Sequence, residues 1–349
     1  MKRALQLAIL ALLLPTIIFH TQAANEKSSS NQRPLLVAHR GASAYAPEHT
    51  LAAYKLAIEQ GADFVEQDLQ MTRDGVLICA HDAELSRTTN VAELFPDRAT
   101  TRDPEGDGKA VRGWYAIDFT LDEIKRLDAG SWFNRANPFA ARDSYATERV
   151  PTLAEAIKAI DNRAGLYIEI KHYEFYKSNG KDMATALAAA LKAGGYDRPD
   201  RREKIFIQSF QKPSLLKMRE VAPRYARIQL LPMEDAGRKD ETSRVTTALA
   251  REVAAYARGV GPSKQMITGP EAVQTFHAAG LLIHPYTFRG STTAVSRRPL
   301  DEQQSNGSTL RQNIISEIDR FISYGIDGGF TDYPDLWRET LKQRERKAN

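Results

Sequence analysis

Residues 62–69, Ala62-Asp63-Phe64-Val65-Glu66-Gln67-Asp68-Leu69, have the composition and alternation of a β-strand. Successive side chains on a strand point to opposite faces, so Glu66 and Asp68 share one face while Val65 and Leu69 share the other. The apolar face is suited to packing on helices, which turns the two carboxylates toward an interior. The same parity recurs in Tyr167-Ile168-Glu169-Ile170-Lys171, where Ile168 and Ile170 would face outward and Glu169 and Lys171 inward. Either segment alone also fits an ordinary half-exposed strand with two unlike faces. Together they place three carboxylates and a lysine along the inside of one sheet.

Outward from these two segments, apolar runs of strand length alternate with amphipathic stretches. Further strands are predicted at Leu35 to His39, Val76 to His81, Ile205 to Phe210, Arg227 to Leu231, Arg258 to Gly261, Leu281 to Tyr286 and Gly328 to Thr331. Helical patterns between them include Leu51 to Gln60, Leu153 to Asp161, Met183 to Ala193, Ser214 to Val221, Val245 to Tyr256, Glu271 to Ala279 and Ile314 to Tyr324. Such alternation predicts an α/β fold with a parallel sheet. About eight units in about 300 residues favour a closed (β/α)8 TIM-type barrel over an open sheet. No Gly-x-Gly-x-x-Gly follows the first strand, which removes the main support for a dinucleotide fold. The predicted strands exceed eight, and Arg73-Asp74-Gly75 leaves room only for a tight turn between the second and third. One strand must therefore lie outside the barrel.

Residues 83–149 break the rhythm with many charges, scattered Pro and Gly, and the aromatics Trp114, Tyr115, Phe119, Trp132 and Phe133. A stretch of that length is expected to be an inserted subdomain after the third strand, sitting over one mouth of the barrel. Arg289 to Ser308 reads as a long surface loop, and Arg198 to Lys204 as a solvated turn of mixed charge. At the N-terminus, Lys2 and Arg3 precede a charge-free run from Ala4 to Phe19, and Thr21-Gln22-Ala23 supplies small residues for cleavage. Residues 1–23 are expected to be a secretory signal peptide and residues 24–33 a polar lead-in, leaving the barrel domain at 34–349. Export to a periplasm without stable membrane insertion follows, since the run is short and interrupted by Pro15.

Removal of Lys2 and Arg3 lowers a formal net charge of only +4, so no basic face for nucleic acid is expected. The single cysteine, Cys79, excludes an intrachain disulfide and reads as a small buried filler. Three oxygen ligands, Glu66, Asp68 and Glu169, with no nearby cysteine suit Ca²⁺, with Mg²⁺ as the alternative, better than zinc. His39-Arg40-Gly41 and His81-Asp82 end predicted strands, where barrel enzymes carry catalytic groups. His39 and His81 are the candidate proton-transfer pair. Arg40 and Lys171 are candidate phosphate contacts, and Gly41 allows a tight turn that brings His39 and Arg40 to one pocket. Phe210, Tyr286 and Phe330 could form an apolar wall of that pocket or simply fill the core. Asp82 and Glu48 either orient a histidine or arginine or cap the following turn. His277 and His284 read as structural.

His39-Arg40-Gly41-Ala42, Pro47-Glu48-His49-Thr50, Glu66-Gln67-Asp68, Asp74-Gly75, His81-Asp82 and Glu169-Ile170-Lys171 occur in this order. Gln208-Ser209-Phe210, His284-Pro285-Tyr286-Thr287 and Phe330-Thr331-Asp332-Tyr333-Pro334 follow. The ordered set resembles the glycerophosphodiester phosphodiesterase family over the whole mature chain, and its periplasmic branch most closely. The resemblance implies a metal-dependent barrel enzyme that releases glycerol phosphate and an alcohol from a small glycerophosphodiester. It also implies Glu66, Asp68 and Glu169 as metal ligands, His39 and His81 as acid and base, and Arg40 and Lys171 on the phosphate. Two departures, His49 for a frequent Asn and Tyr286 for a frequent Trp, are expected to leave the metal ligands untouched. The competing readings are a phospholipid-cleaving phosphodiesterase of the same barrel type and a non-catalytic exported binding protein for glycerol phosphates; a homodimer is compatible with either.

Overall fold

The computed structural model describes residues 33–232, 244–289, 304–305 and 308–348. The predicted signal peptide, nearly all of the lead-in and most of the 289–308 interval lie outside the described residues. The strands, in chain order, are β1 (Leu35–Ala38), β2 (Phe64–Met71), β3 (Leu77–Cys79), β4 (Thr100–Arg102), β5 (Val111–Gly113), β6 (Gly165–Ile170), β7 (Ile205–Ser209), β8 (Ala226–Leu231), β9 (Gly259–Pro262), β10 (Leu282–Ile283), β11 (Gln304–Ser305), β12 (Ser308–Thr309) and β13 (Gly328–Thr331). Eight of them form the barrel in the order β10-β9-β8-β7-β6-β2-β1-β13, every adjacent pair parallel. Between β10 and β13 the wall is closed by single bonds. Asp327 N–H donates to the Ile283 carbonyl, Phe330 N–H to Pro285 and Phe288 N–H to Phe330. The predicted strand Leu281 to Tyr286 thus continues as irregular backbone, in part because Pro285 cannot donate to a ladder.

The strand outside the barrel is β3, which pairs antiparallel with β2 through Leu69–Cys79, Gln70–Ile78 and Met71–Leu77. His81 therefore follows a hairpin arm, not a barrel strand. Gly75, at φ +85°, turns that hairpin. Residues 199–202, within the stretch read as a turn, form one short helix begun by Pro199.

Outward-facing Val65, Leu69, Leu166, Ile168, Ile170 and Ile207 are buried against helices through residues such as Tyr54, Ala156, Leu187 and Leu215. Each such side chain contributes roughly 1.5–3 kcal/mol by leaving water. The helices begin where the sequence supplies caps. Thr50 accepts from Ala53 N–H ahead of Leu51–Glu59, and Thr152 with Glu155 closes a reciprocal capping box ahead of Leu153–Ile160. The inward parity forms a second, smaller cluster of Val37, Phe64, Tyr167, Phe206, Ile228 and Phe330. Tyr167 stacks on Phe206 at 5.0 Å and meets Phe330 edge-on at 4.8 Å, so the barrel floor is solid aromatic packing. One layer higher the same faces carry polar side chains, and the register sets Asp68 beside Glu169 and Glu169 beside Gln208.

Residues 83–149 run between β3 and β6 as short helical turns and the β4–β5 hairpin. Leu85, Val91, Phe119, Ile124 and Leu127 bury themselves there together with Ile78 of β3. Side chains of this segment, among them Arg87, Glu105 and Tyr145, reach residues at the C-terminal mouth of the barrel.

Candidate active site

Glu66, Asp68 and Glu169 each present a carboxylate oxygen within 4.8 Å of the others, and all three are buried. Hydrophobic floor below and packed wall around leave these charges little water. Burial, then the neighbouring carboxylates, pushes Glu66 well above the usual range, and burial raises Glu169 to about 8. Asp68 goes the other way despite its burial, because Lys171 and His49 stabilise its ionised form. Its Oδ1 is buried and has no hydrogen-bond partner among the described residues. An orphaned carboxylate oxygen between two reluctant acids is the donor set that a hard divalent cation fits.

The two candidate histidines arrive from different elements and share one arrangement. His39, just past β1, has Nδ1 2.6 Å from Asp332 Oδ1 and Nε2 3.7 Å from Glu66 Oε2. His81, past the β3 arm, has Nδ1 2.5 Å from Asp82 Oδ1. Against the effect of burial, His39 holds Asp332 below the usual carboxylate range, and His81 and Arg87 do the same for Asp82. An ionised carboxylate only accepts, so each Nδ1 carries the hydrogen and each Nε2 is left for the pocket. Burial lowers both imidazoles, His81 to about 4 with help from Lys171, so both are neutral at neutral pH.

Arg40 donates its backbone N–H to Glu66 Oε2 at 3.0 Å and its guanidinium to Glu48 Oε1 at 3.1 Å; its Nε lies 3.5 Å from Asp68. It holds φ at +57°, a conformation an arginine adopts only when its surroundings impose it. Gly41 follows at φ +87°, where a Cβ would stand 2.7 Å from the Ala53 backbone, so the predicted tight turn admits only glycine. Lys171 Nζ lies 3.5 Å from Glu169 and stays charged in spite of burial because Glu169 and Asp68 face it. A cavity of about 130 Å³ gathers His39, Arg40, Glu66, Asp68, His81, Glu169 and Lys171 on its lining, with Phe210, Tyr286 and Phe330 at its apolar side. The residues named from sequence as proton-transfer groups, metal ligands and substrate contacts all reach this one cavity, while Glu48 and Asp82 stay off its lining and bond to Arg40 and His81.

The departure at His49 does touch the carboxylate trio. Its Nε2 lies 2.8 Å from Asp68 Oδ2 and its Nδ1 3.0 Å from the Tyr54 hydroxyl, correcting the expectation that the metal ligands are unaffected. Its φ of +56° is what folds the loop back far enough. Tyr286 lines the cavity and donates its hydroxyl to the Leu231 carbonyl at 2.9 Å. Sequence reasoning gave no role to four further residues: Asp332, Gln208, which donates to Glu66 at 2.8 Å, and Thr287 and Arg289 on the cavity lining. Strand parity offered one signal, since Asp332 follows Phe330 by two positions on the inward face.

Residues 39–336 match the glycerophosphoryl diester phosphodiesterase family. The chain belongs to this family. It is 34% identical over 343 residues to a glycerophosphodiester phosphodiesterase of Bacillus subtilis, covering 98% of both chains. It is 31% identical to that of Haemophilus influenzae, over 91% of this chain and 92% of the relative. Among solved structures, a phosphodiesterase of Oleispira antarctica in complex with sn-glycerol-3-phosphate superposes with a TM-score of 0.64 at 24% identity, over 89% of this chain and 97% of that one. A glycerophosphodiester phosphodiesterase of Agrobacterium tumefaciens gives 0.59 at 25% identity, covering 87% and 98%. The fold and the class of enzyme, a glycerophosphodiester phosphodiesterase, follow from membership.

Proposed function

We propose that this chain is an exported, cation-dependent hydrolase of glycerophosphodiesters such as glycerophosphocholine and glycerophosphoethanolamine, yielding sn-glycerol 3-phosphate and the free alcohol. The observation that carries the reading is the pair of neutral imidazoles, each fixed by an ionised carboxylate on Nδ1, facing a cavity that also holds three carboxylates and the cations Arg40, Lys171 and Arg289. A binding protein needs the cations; only a catalyst needs the imidazoles. Three oxygen donors support Ca²⁺ first and Mg²⁺ second. Once bound, such a cation supplies charge stabilisation at the phosphoryl oxygens.

The chain's own groups do the rest. Arg40 and Lys171 hold the phosphodiester anion and oppose the charge that accumulates on its oxygens. One imidazole Nε2 takes the proton of the attacking hydroxyl, from water or from the glycerol 2-hydroxyl, as the new P–O bond forms. The ester P–O bond breaks and the departing alkoxide takes its proton from Nε2 of the other histidine, which, being neutral in the free chain, must first gain that proton from solvent, an uptake favoured by the phosphodiester anion beside it. Phe210 and Tyr286, edge-on at 5.8 Å, form an apolar wall suited to glycerol carbons. The leader pattern at residues 1–23 supports export and a periplasmic branch of the family, and no described helix is long and apolar enough to cross a membrane.

The test is coupled detection of glycerol 3-phosphate from glycerophosphocholine, run beside an intact phospholipid. Activity on the deacylated substrate is expected to vanish on exhaustive chelation and to return with Ca²⁺. Full activity after chelation removes the cation from the proposal. Faster cleavage of the intact lipid supports the lipase instead, and tight binding without turnover supports the binding protein.

A further inference from the structure

Behind the reacting groups runs a chain of alternating charge. Arg40 donates to Glu48, whose two oxygens accept from Arg87 Nη2 at 2.7 Å and Nη1 at 3.0 Å. The remaining guanidinium nitrogen, Nε of Arg87, donates to Asp82 Oδ2, and Asp82 Oδ1 holds His81. Arg87 enters from the segment after β3. Its backbone is anchored there by buried Leu85, whose N–H bonds the Trp114 carbonyl at 2.9 Å, and by Thr89, which donates to the Leu85 carbonyl.

We infer that Arg87 is a positioning residue for phosphodiester cleavage: its fork fixes, at one time, the carboxylate that orients His81 and the carboxylate that orients Arg40. The inference rests on the reading of His81 as a proton-transfer group and Arg40 as a phosphate contact. An isolated exposed ion pair does little. Here the arginine side chain is 44% exposed, but Glu48 is only 12% exposed and both carboxylates are committed to site residues. Without Arg87, Glu48 answers to Arg40 alone and Asp82 to His81 alone, and each gains freedom to rotate. A lysine, a single point of charge without the planar fork, cannot reproduce the two-nitrogen grip on Glu48 together with the Nε bond to Asp82. The loss therefore reaches two kinetic quantities, turnover through His81 and substrate affinity through Arg40.

The experiment is steady-state kinetics of the cation-loaded enzyme on glycerophosphocholine for Arg87→Met, Arg87→Lys, Glu48→Gln, Asp82→Asn and the pairs R87M/E48Q and R87M/D82N, with His81→Ala as reference. Arg87→Met is expected to lower kcat and raise KM, reducing kcat/KM by roughly ten- to a hundredfold, the scale for losing a group that orients a reacting one. Arg87→Lys should recover only part, and each pair should lose less than the product of its single losses. Unchanged kcat/KM in Arg87→Met, full recovery by lysine, multiplicative losses in both pairs, or a loss that only tracks the folded fraction would each overturn the inference. A nearly normal His81→Ala removes the proton-transfer reading itself; an inactive His81→Ala beside a normal Arg87→Met removes only the role of Arg87.

Discussion

Asp332 and His39 are separated by 293 positions yet meet at 2.6 Å, and that contact decides which nitrogen of His39 faces the substrate. The carboxylate matters as an anion. Asn in its place keeps the shape but also offers a donor, so the imidazole is free to turn or to take the other tautomer. Asp332→Asn is expected to lower kcat by about ten- to a hundredfold with little change in KM, because no substrate contact is lost. His39→Ala and His81→Ala, which delete the proton-transfer groups, should each cost at least about a hundredfold. Initial-rate measurements at saturating and limiting substrate separate these cases. An Asp332→Asn enzyme with normal kcat would show that His39 needs no partner to hold its tautomer.

At the level of strands, parity was readable and distance was not. The alternation in 64–69 and 167–171 was enough to turn Glu66, Asp68, Glu169 and Lys171 inward, because each residue's face follows from its neighbours in the chain. The pairings of Asp332, His49 and Arg87 depend on loops whose backbone enters the left-handed region or on contacts between remote segments, and no local pattern encodes those. The same limit hid the place of β3. Its sequence is as apolar as a barrel strand, and only the shortness of the 73–75 turn set it apart. Parity also makes a stability prediction at Gly165, where an added Cβ would stand 2.2 Å from the Phe64 ring. That ring is held at 5.1 Å by Phe206 and at 6.0 Å by Tyr167, so it has nowhere to move. Gly165→Ala should destabilise by about 1–3 kcal/mol, and adding Phe64→Leu should recover part of the loss. Urea denaturation of both variants decides it, and equal stability of Gly165→Ala and the unmodified chain would mean the barrel floor is looser than its ring contacts imply.

For the whole molecule, the buried site and the buried histidines pull stability in opposite directions as pH changes. His39, His81, His172 and His284 have folded-state pKa values below the unfolded 6.5, three of them at about 4. Each contributes stability that is complete above pH 6.5 and is lost as pH falls through the folded value. Glu66 and Glu169 are raised above 4.5, Glu169 to about 8, so the folded chain binds more protons than the unfolded one from pH 4.5 upward and loses stability as pH rises toward 8. Between pH 6.5 and about 8 the four histidines finish losing their unfolded-state protons and give the same slope with or without a cation, so the difference between loaded and chelated protein reports the carboxylates. His277, raised by its hydrogen bond to Asp327, slopes the same way as the carboxylates there, but it sits apart from the trio and is indifferent to a cation. A divalent cation on the trio keeps Glu66 and Glu169 ionised and removes their part of the slope. Unfolding free energies measured in urea should therefore diverge over this window, the chelated protein falling below the Ca²⁺-loaded protein by a further amount on the order of 1–3 kcal/mol. Glu169→Gln, measured with chelator, should lose much of the slope. Parallel curves for loaded and chelated protein would mean that the three carboxylates do not share an ion.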